Sequence, residues 1–299
     1  MRSCVILLLV CLLPNLAGAW HSQGHVLATE LAVEASQAIM PAFFVQGIET
    51  IKHCSVDPDV FKFKTDSRLL SRKESPNHYF DLELFDDEAL PETREDFWWW
   101  CLRHGQSTGK VGLLPYAIAE TTYMLSIALA EHHRWPDNQA IQSKCLVYAG
   151  LLSHYAEDAC MPLHATVHWD GRVLPNGQSP HAGIHRRVDG LLHRVPGADR
   201  VTVDPNSLVP FQSLLAEVFA HIQETHSLVE PLYALEDQIP ALDEPFEGPP
   251  ELVALVEGYL HRSARFTARL YVTALKKSEL VTIPEWHERE NQRSVISNQ

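Results

Sequence analysis

Three good metal ligands, His154, Asp158 and His164, fall within eleven positions of the segment Leu151–Ala165, which reads LLSHYAEDACMPLHA. His154 and Asp158 are four apart, so on a helix they stack one turn apart on one face and can share an ion. Pro162 then stops the helix, and the chain turns before presenting His164 from another direction. A ligand pair on a rigid helix with a third just past its end is one way to assemble a multi-metal site. Taken alone, H-x3-D is common, because a core histidine followed by a surface acid produces it too. The rest of the chain has to decide.

Residues 1–19 read as a secretory signal peptide. Arg2 gives a basic start, Val5–Leu13 is apolar but too short to span a bilayer, and Ala17-Gly18-Ala19 supplies the small-residue cleavage site. The expected mature chain starts at Trp20, is secreted or periplasmic, and has no later run of membrane-spanning length. Its 280 residues are enough for one large domain. The expected organisation is a single domain over 20–284 with a polar tail at 285–299. Without Arg2 the chain carries 23 basic and 38 acidic side chains, a net charge of −15. Such a chain gains nothing from long-range attraction to DNA or anionic lipid, so a phosphate-bearing substrate calls for a local cation.

Removal of the leader leaves Cys54, Cys101, Cys145 and Cys160. No C-x-x-C is present, which argues against a thiolate zinc site. Export permits disulfides, and the pairing is open among three connectivities. Cys145 and Cys160 sit on one expected helix, about 22 Å apart, and should not pair with each other.

Apolar residues at helical spacing predict helices over Gly24–Met40, Val45–Cys54, Pro115–Leu129, Asn138–Cys160, Ile184–His193, Phe211–Asp237 and Pro249–Ser278. Asp57-Pro58-Asp59 is expected to break the chain. Phe61–Pro76 and Leu84–Glu95 read as loops, and Pro76–Asp81 as extended. Trp98, Trp99 and Trp100 cannot all face one side of an element; packing is their expected role, with an apolar wall for a ligand as the alternative. Alternating strand patterns are nearly absent. The expected class is all-α, and a monomer is expected because no segment marks a protein partner.

The candidate ligands in order are Trp20, His25, Asp59, His78, His154, Asp158, His164, His185 and Asp189. His185 and Asp189 repeat the spacing of His154 and Asp158, and imidazole with carboxylate suits zinc. In this order and spacing the sequence resembles the zinc-dependent phospholipases C of bacteria and the related single-strand-specific nucleases of fungi and plants. The resemblance rests on Trp20, His25, Asp59, the segment His78-Tyr79-Phe80-Asp81, the run from His154 through Asp158 to His164, and His185 with Asp189.

The resemblance implies a mostly helical fold holding three zinc ions. Asp59, His78, His154 and Asp158 would bind one; the amino group and carbonyl of Trp20, with His25 and a bridging Asp158, a second; His164, His185 and Asp189 the third. It also implies a zinc-bridged water as nucleophile in phosphodiester hydrolysis, with Asp59 as the catalytic carboxylate. Tyr79 and Asp81 would contact substrate.

The Asp59–His78 gap is longer than in the best-known members, which leaves Asp57 and Asp66 as alternatives to Asp59. The last pair, Gly183-Ile184-His185-Arg186-Arg187-Val188-Asp189, lacks the Asn and Trp usual in the nucleases. Both substrates, phospholipid and single-stranded nucleic acid, stay open. Phospholipase C type is the preferred expectation because no basic, aromatic-interleaved patch is present. A non-catalytic exported zinc-binding protein is the remaining alternative.

Overall fold

A computed structural model of the chain describes residues 22–63, 68–85, 89–195, 197–244, 246 and 248–288. The expected leader, Trp20 and Asp66 lie outside the described residues. The described residues are all-α, with no strand and only two isolated bridges, Phe80 with Gly112 and Trp169 with Gly171. In order the helices are α1 (Ser22–Ser36), α2 (Ala42–Gln46), α3 (Ile48–Cys54), α4 (Asp57–Lys62), α5 (Arg68–Glu74), α6 (Arg94–Arg103) and α7 (Thr108–Val111). Then come α8 (Leu114–Arg134), α9 (Gln139–Asp158), α10 (Ile184–Asp189), α11 (Leu214–His226), α12 (Val229–Tyr233) and α13 (Pro250–Ser278).

Long helices α1, α8, α9 and α13 pack on one another. Their small residues make this possible: Ala28, Ala32, Ala128, Ala149, Ala156, Ala264 and Ala268 are buried where the helices meet. Leu125, Leu129, Leu152 and Tyr271 fill the space between them. The 29-residue α13 threads two apolar clusters. Its first half (Leu252, Val256, Tyr259, Leu260) packs with Leu163, Ile184 and Val188, while its second half joins the main core. The two clusters thereby anchor α9 and α10, the two helices that carry His/Asp pairs.

Helix α9 starts at an Asn138 cap, whose side-chain oxygen accepts from the Ala140 and Ile141 N–H groups. It ends at Asp158, four residues before Pro162, because proline has no N–H to offer the Asp158 carbonyl and holds Met161 extended. A 3-10 turn, Pro162–His164, follows. The Phe80 N–H donates to the His164 carbonyl (2.8 Å) and the Leu82 N–H to that of Ala165 (3.3 Å), tying the 78–82 segment alongside.

Several expectations are corrected. Asp57-Pro58-Asp59 begins α4 instead of breaking the chain, since proline in a first turn gives up no hydrogen bond. Within the expected loop 61–76, Arg68–Glu74 is helical; its Leu69 is 87 % exposed, so no apolar stripe announced it. Ser75–His78 is a 3-10 turn, and the backbone is extended only from Tyr79. Gly47 divides Val45–Cys54 into two helices, and Phe211–Asp237 breaks into α11, α12 and a short turn.

The tryptophan run lies on α6. Trp100 packs on Phe97 and Phe85, whereas Trp98 and Trp99 are exposed. Among the described residues the four cysteines, Cys54, Cys101, Cys145 and Cys160, are free and buried. In the expected tail, His287 meets Glu131 at 2.7 Å.

Gly150, one turn before His154, lets α3 approach α9. A Cβ there would lie 2.5 Å from Cys54 Cβ and 2.6 Å from the Ile51 carbonyl oxygen. That approach brings the Ser55 carbonyl onto His154 Nδ1, at 2.8 Å. Gly150→Ala should therefore lower stability by about 1–3 kcal/mol, read as a fall in the urea midpoint; an unchanged midpoint would show that the two helices separate freely.

Candidate metal centre

The site is built around Asp158 at the end of α9, which is fully buried. Its Oδ2 lies 3.0 Å from His78 Nδ1 and 3.3 Å from His154 Nε2, while Oδ1 faces His25 Nε2 at 3.7 Å and His164 Nδ1 at 3.6 Å. Asp59, from the first turn of α4, places Oδ1 3.8 Å from both His78 Nδ1 and His154 Nε2. Ligand atoms of His25, Asp59 and His154 lie within 4.8 Å of one another, and so do those of His78, His154 and Asp158. A third group of the same compactness is His164, His185 and Asp189. Trp20 lies outside the described residues, and Asp57 sits beside Cys54.

Hydrogen bonds to the far side of each ring set which nitrogen is available. His154 Nδ1 donates to the Ser55 carbonyl, and His164 Nδ1 to the His78 carbonyl at 2.5 Å, so each ring turns Nε2 inward. His164 Nε2 and His185 Nε2 are then 3.1 Å apart, and His154 Nε2 and His78 Nδ1 3.0 Å. Two imidazole nitrogens on one tetrahedral zinc lie about 3.3 Å apart, close to both spacings. Asp189 is fully buried, yet neither carboxylate oxygen accepts a hydrogen bond; Oδ2 is 3.2 Å from His185 Nε2. A buried carboxylate without a donor is strongly disfavoured unless a cation meets it. These donors fit zinc.

Charge follows the same pattern. Burial opposes ionisation of Asp158, but the imidazoles facing it, with hydrogen bonds from His154 and His78, outweigh burial and hold the carboxyl well below the usual range. Burial also opposes charge on His154 and His185; Asp158 and Asp59 raise the first, Asp189 the second. His164 is pushed down to about 4 by burial, with His185 adding to the effect against Asp158 and Asp189. A neutral His164 keeps a lone pair for a metal.

Sequence reasoning missed the residues that orient this set. Glu157, fully buried, places Oε2 2.6 Å from His25 Nδ1 and accepts from Thr29 Oγ1 on Oε1. Burial pushes His25 well down and Glu157 well up, so burial disfavours charge on both partners. A carboxylate behind a metal-facing histidine is the usual orienting partner. Glu157 is the residue next to Asp158, a position that gave the only available signal. Glu74 is held by the Tyr155 hydroxyl (2.5 Å) and stands 3.6 Å from His78 Nε2. Asp170 accepts the His185 N–H at the start of α10. His168 is structural, accepting the Val173 N–H.

A cleft of about 860 Å³ opens onto His78, His164 and His185. Tyr79 and Asp81 line it, Tyr79 with its hydroxyl donating to the Gly109 carbonyl at 2.7 Å. Gly112, at φ +100°, permits this: a Cβ there would strike the Tyr79 carbonyl. Leu84, Leu163, Val167 and Trp169 form an apolar wall, and Trp98–Trp100 are not among the lining residues. The local positive charge that a phosphate-bearing substrate calls for need not come from metal alone, because Lys62, Lys110 and Arg186 also line the cleft. Lys62 Nζ is 2.6 Å from Asp59 Oδ1.

No known protein family matches the chain, and no curated protein matches it. Among solved structures it is similar to the alpha toxin from Clostridium absonum, with a TM-score of 0.49 and 11 % identity over 87 % of this chain. It is also similar to the Clostridium perfringens alpha-toxin from avian strain SWCP, with a TM-score of 0.44 and 12 % identity over 87 % of this chain. The chain spans 64 % of the length of each toxin.

Two outcomes follow from the geometry. Glu157→Gln should weaken zinc at the His25 side about 10- to 100-fold, measured by chelator competition; undiminished affinity would show that Glu157 only packs. Burial pushes the Asp81 carboxyl up to about 8, with the Glu83 charge adding, against 3.8 for the free group. The folded state therefore holds this proton where the unfolded chain has released it. With chelator present, the wild type should lose stability relative to Asp81→Asn as pH rises from about 4 to about 8, and no further above. The loss is on the order of a few kcal/mol, and parallel urea midpoints across that interval would refute it.

Proposed function

We propose that the chain is a zinc-dependent hydrolase of phosphodiester bonds, phospholipase C type, exported by a cleaved leader over residues 1–19. The observation that carries this reading is the convergence of His/Asp groups on Asp158 and on Asp189, both fully buried, beside an open cleft. His78, His154, Asp158 and Asp59 would hold one zinc, and His164, His185 and Asp189 another. A further one would be held by His25 and Asp158 with the terminal amine of Trp20. Zinc supplies Lewis acidity, lowering the pKa of water and polarising phosphoryl oxygens.

The chain's own residues do the rest. Asp59 takes the proton of the attacking water on its carboxylate, which Lys62 orients through Oδ1. Arg186 and Lys110 on the cleft wall attract and position the phosphate. The apolar wall of Leu84, Leu163, Val167 and Trp169 suits an acyl-bearing substrate.

One observation favours single-strand nuclease activity as the second reading. Asp81 lines the cleft with its carboxyl pKa raised to about 8, so at neutral pH it carries a proton to donate to a base edge, beside the Tyr79 ring.

The deciding experiment uses the chain beginning at Trp20 with no added residue. Zinc is counted by elemental analysis, then phosphatidylcholine and single-stranded DNA and RNA are offered to the same preparation. About three zinc ions per chain are expected from the ligand set, with phosphocholine released and no nucleotide. Nucleotide release without lipid turnover replaces the substrate class. Absence of zinc after reconstitution overturns the reading.

A further inference from the structure

A second groove, of about 590 Å³, lies between α11 and α13 and shares no lining residue with the cleft. Arg262, Arg265 and Arg269 recur at three- and four-residue spacing along α13, so they stack on one helix face and line this groove together. Among the described residues Arg262 and Arg265 form no ion pair. Arg262 Nε is buried with no hydrogen-bond partner, and Arg265 Nε reaches only Ser207 Oγ, at 3.4 Å. Arg269 is committed to structure: its guanidinium lies 3.9 Å over the Phe211 ring, and Nε donates to the Val209 carbonyl.

Two carboxylates also line the groove. Glu217 directs Oε1 to the Gln212 and Ser213 N–H groups and sits 3.8 Å from Arg269 through Oε2. Neither it nor Glu224 neutralises Arg262 or Arg265. The floor is His221, stacked 3.8 Å on Phe266 with Nε2 3.1 Å from Cys160 Sγ. Burial and the three arginines push His221 down to about 3, so it adds no charge. In a chain of net charge −14, guanidinium groups gathered in a concavity and left without carboxylate partners mark a place prepared for an anion.

We propose that this groove binds a phosphate-type dianion between Arg262 and Arg265, presented as free phosphate or as a phosphomonoester headgroup. The site stands apart from the metal centre and does not rest on the hydrolase reading.

The test is calorimetric titration of the whole chain with inorganic phosphate after chelator treatment, so that a failed zinc assignment leaves the result readable. One phosphate per chain is expected, with affinity falling at least tenfold in the Arg262→Gln/Arg265→Gln double variant, whose fold is checked by circular dichroism. Arg265→Lys, which keeps the charge and loses the fork, should fall in between. A second measurement needs no variant: phosphate should protect Arg262 and Arg265 from phenylglyoxal, read by mass spectrometry. Vesicles of phosphatidylcholine with and without phosphatidic acid separate the two sources: capture dependent on phosphatidic acid and lost in the double variant assigns the headgroup, and binding of free phosphate alone assigns the soluble anion. No phosphate binding by the wild type, affinity unchanged in the double variant, or no protection overturns the proposal.

Discussion

A carboxylate that is fully buried and still ionised is the constraint around which this structure is arranged. Asp158 sits at the last turn of α9 with no exposure to water, and its charge survives only because imidazoles surround it. Each of those rings is in turn fixed from behind: His154 by the Ser55 carbonyl, His164 by the His78 carbonyl, His25 by Glu157. Strip away those outer contacts and the rings are free to rotate their nitrogens off the centre. The helix packing is therefore part of the site's chemistry, and Gly150, which lets α3 reach His154, belongs to that chemistry although it carries no side chain.

The two His/Asp pairs look alike in sequence but are supported differently. His154 and Asp158 ride on a twenty-residue helix inside the main core, whereas His185 and Asp189 ride on a six-residue helix held by the second apolar cluster and by Asp170 at its start. A short helix has little stability of its own, so α10 depends on Ile184 and Val188 being buried against Leu163 and α13. The cleft lies along the junction of these supports, which is how an apolar wall comes to stand beside His78, His164 and His185.

The all-α class, the long helices and the ligand types are legible in the amino-acid sequence. Helical spacing at Leu252, Val256, Tyr259 and Leu260 marks a helix because only that geometry places them on one side. What is not legible is of two kinds. Helix α5 and the first turn of α4 lack an apolar stripe, so periodicity has nothing to report. Glu157 and Glu74 escape because what they do depends on what faces them across the fold, 132 residues away in the case of Glu157 and His25 and 81 in the case of Glu74 and Tyr155.

The sequence by itself determined which residues can ligate a metal and which of them must move together, since i, i+4 spacing on a helix leaves no choice. It also set the absence of a C-x-x-C thiolate pattern and the acidity of the chain. Only the tertiary structure decided that Asp158 faces His78, His154, His25 and His164 at once, that Lys62, Lys110 and Arg186 border the cleft, and that the four cysteines stay apart. The physical reason is the same in each case. Local spacing fixes which face a side chain occupies, but its charge state and its partners are set by groups that reach it through long-range packing, and those are written in no single stretch of the chain.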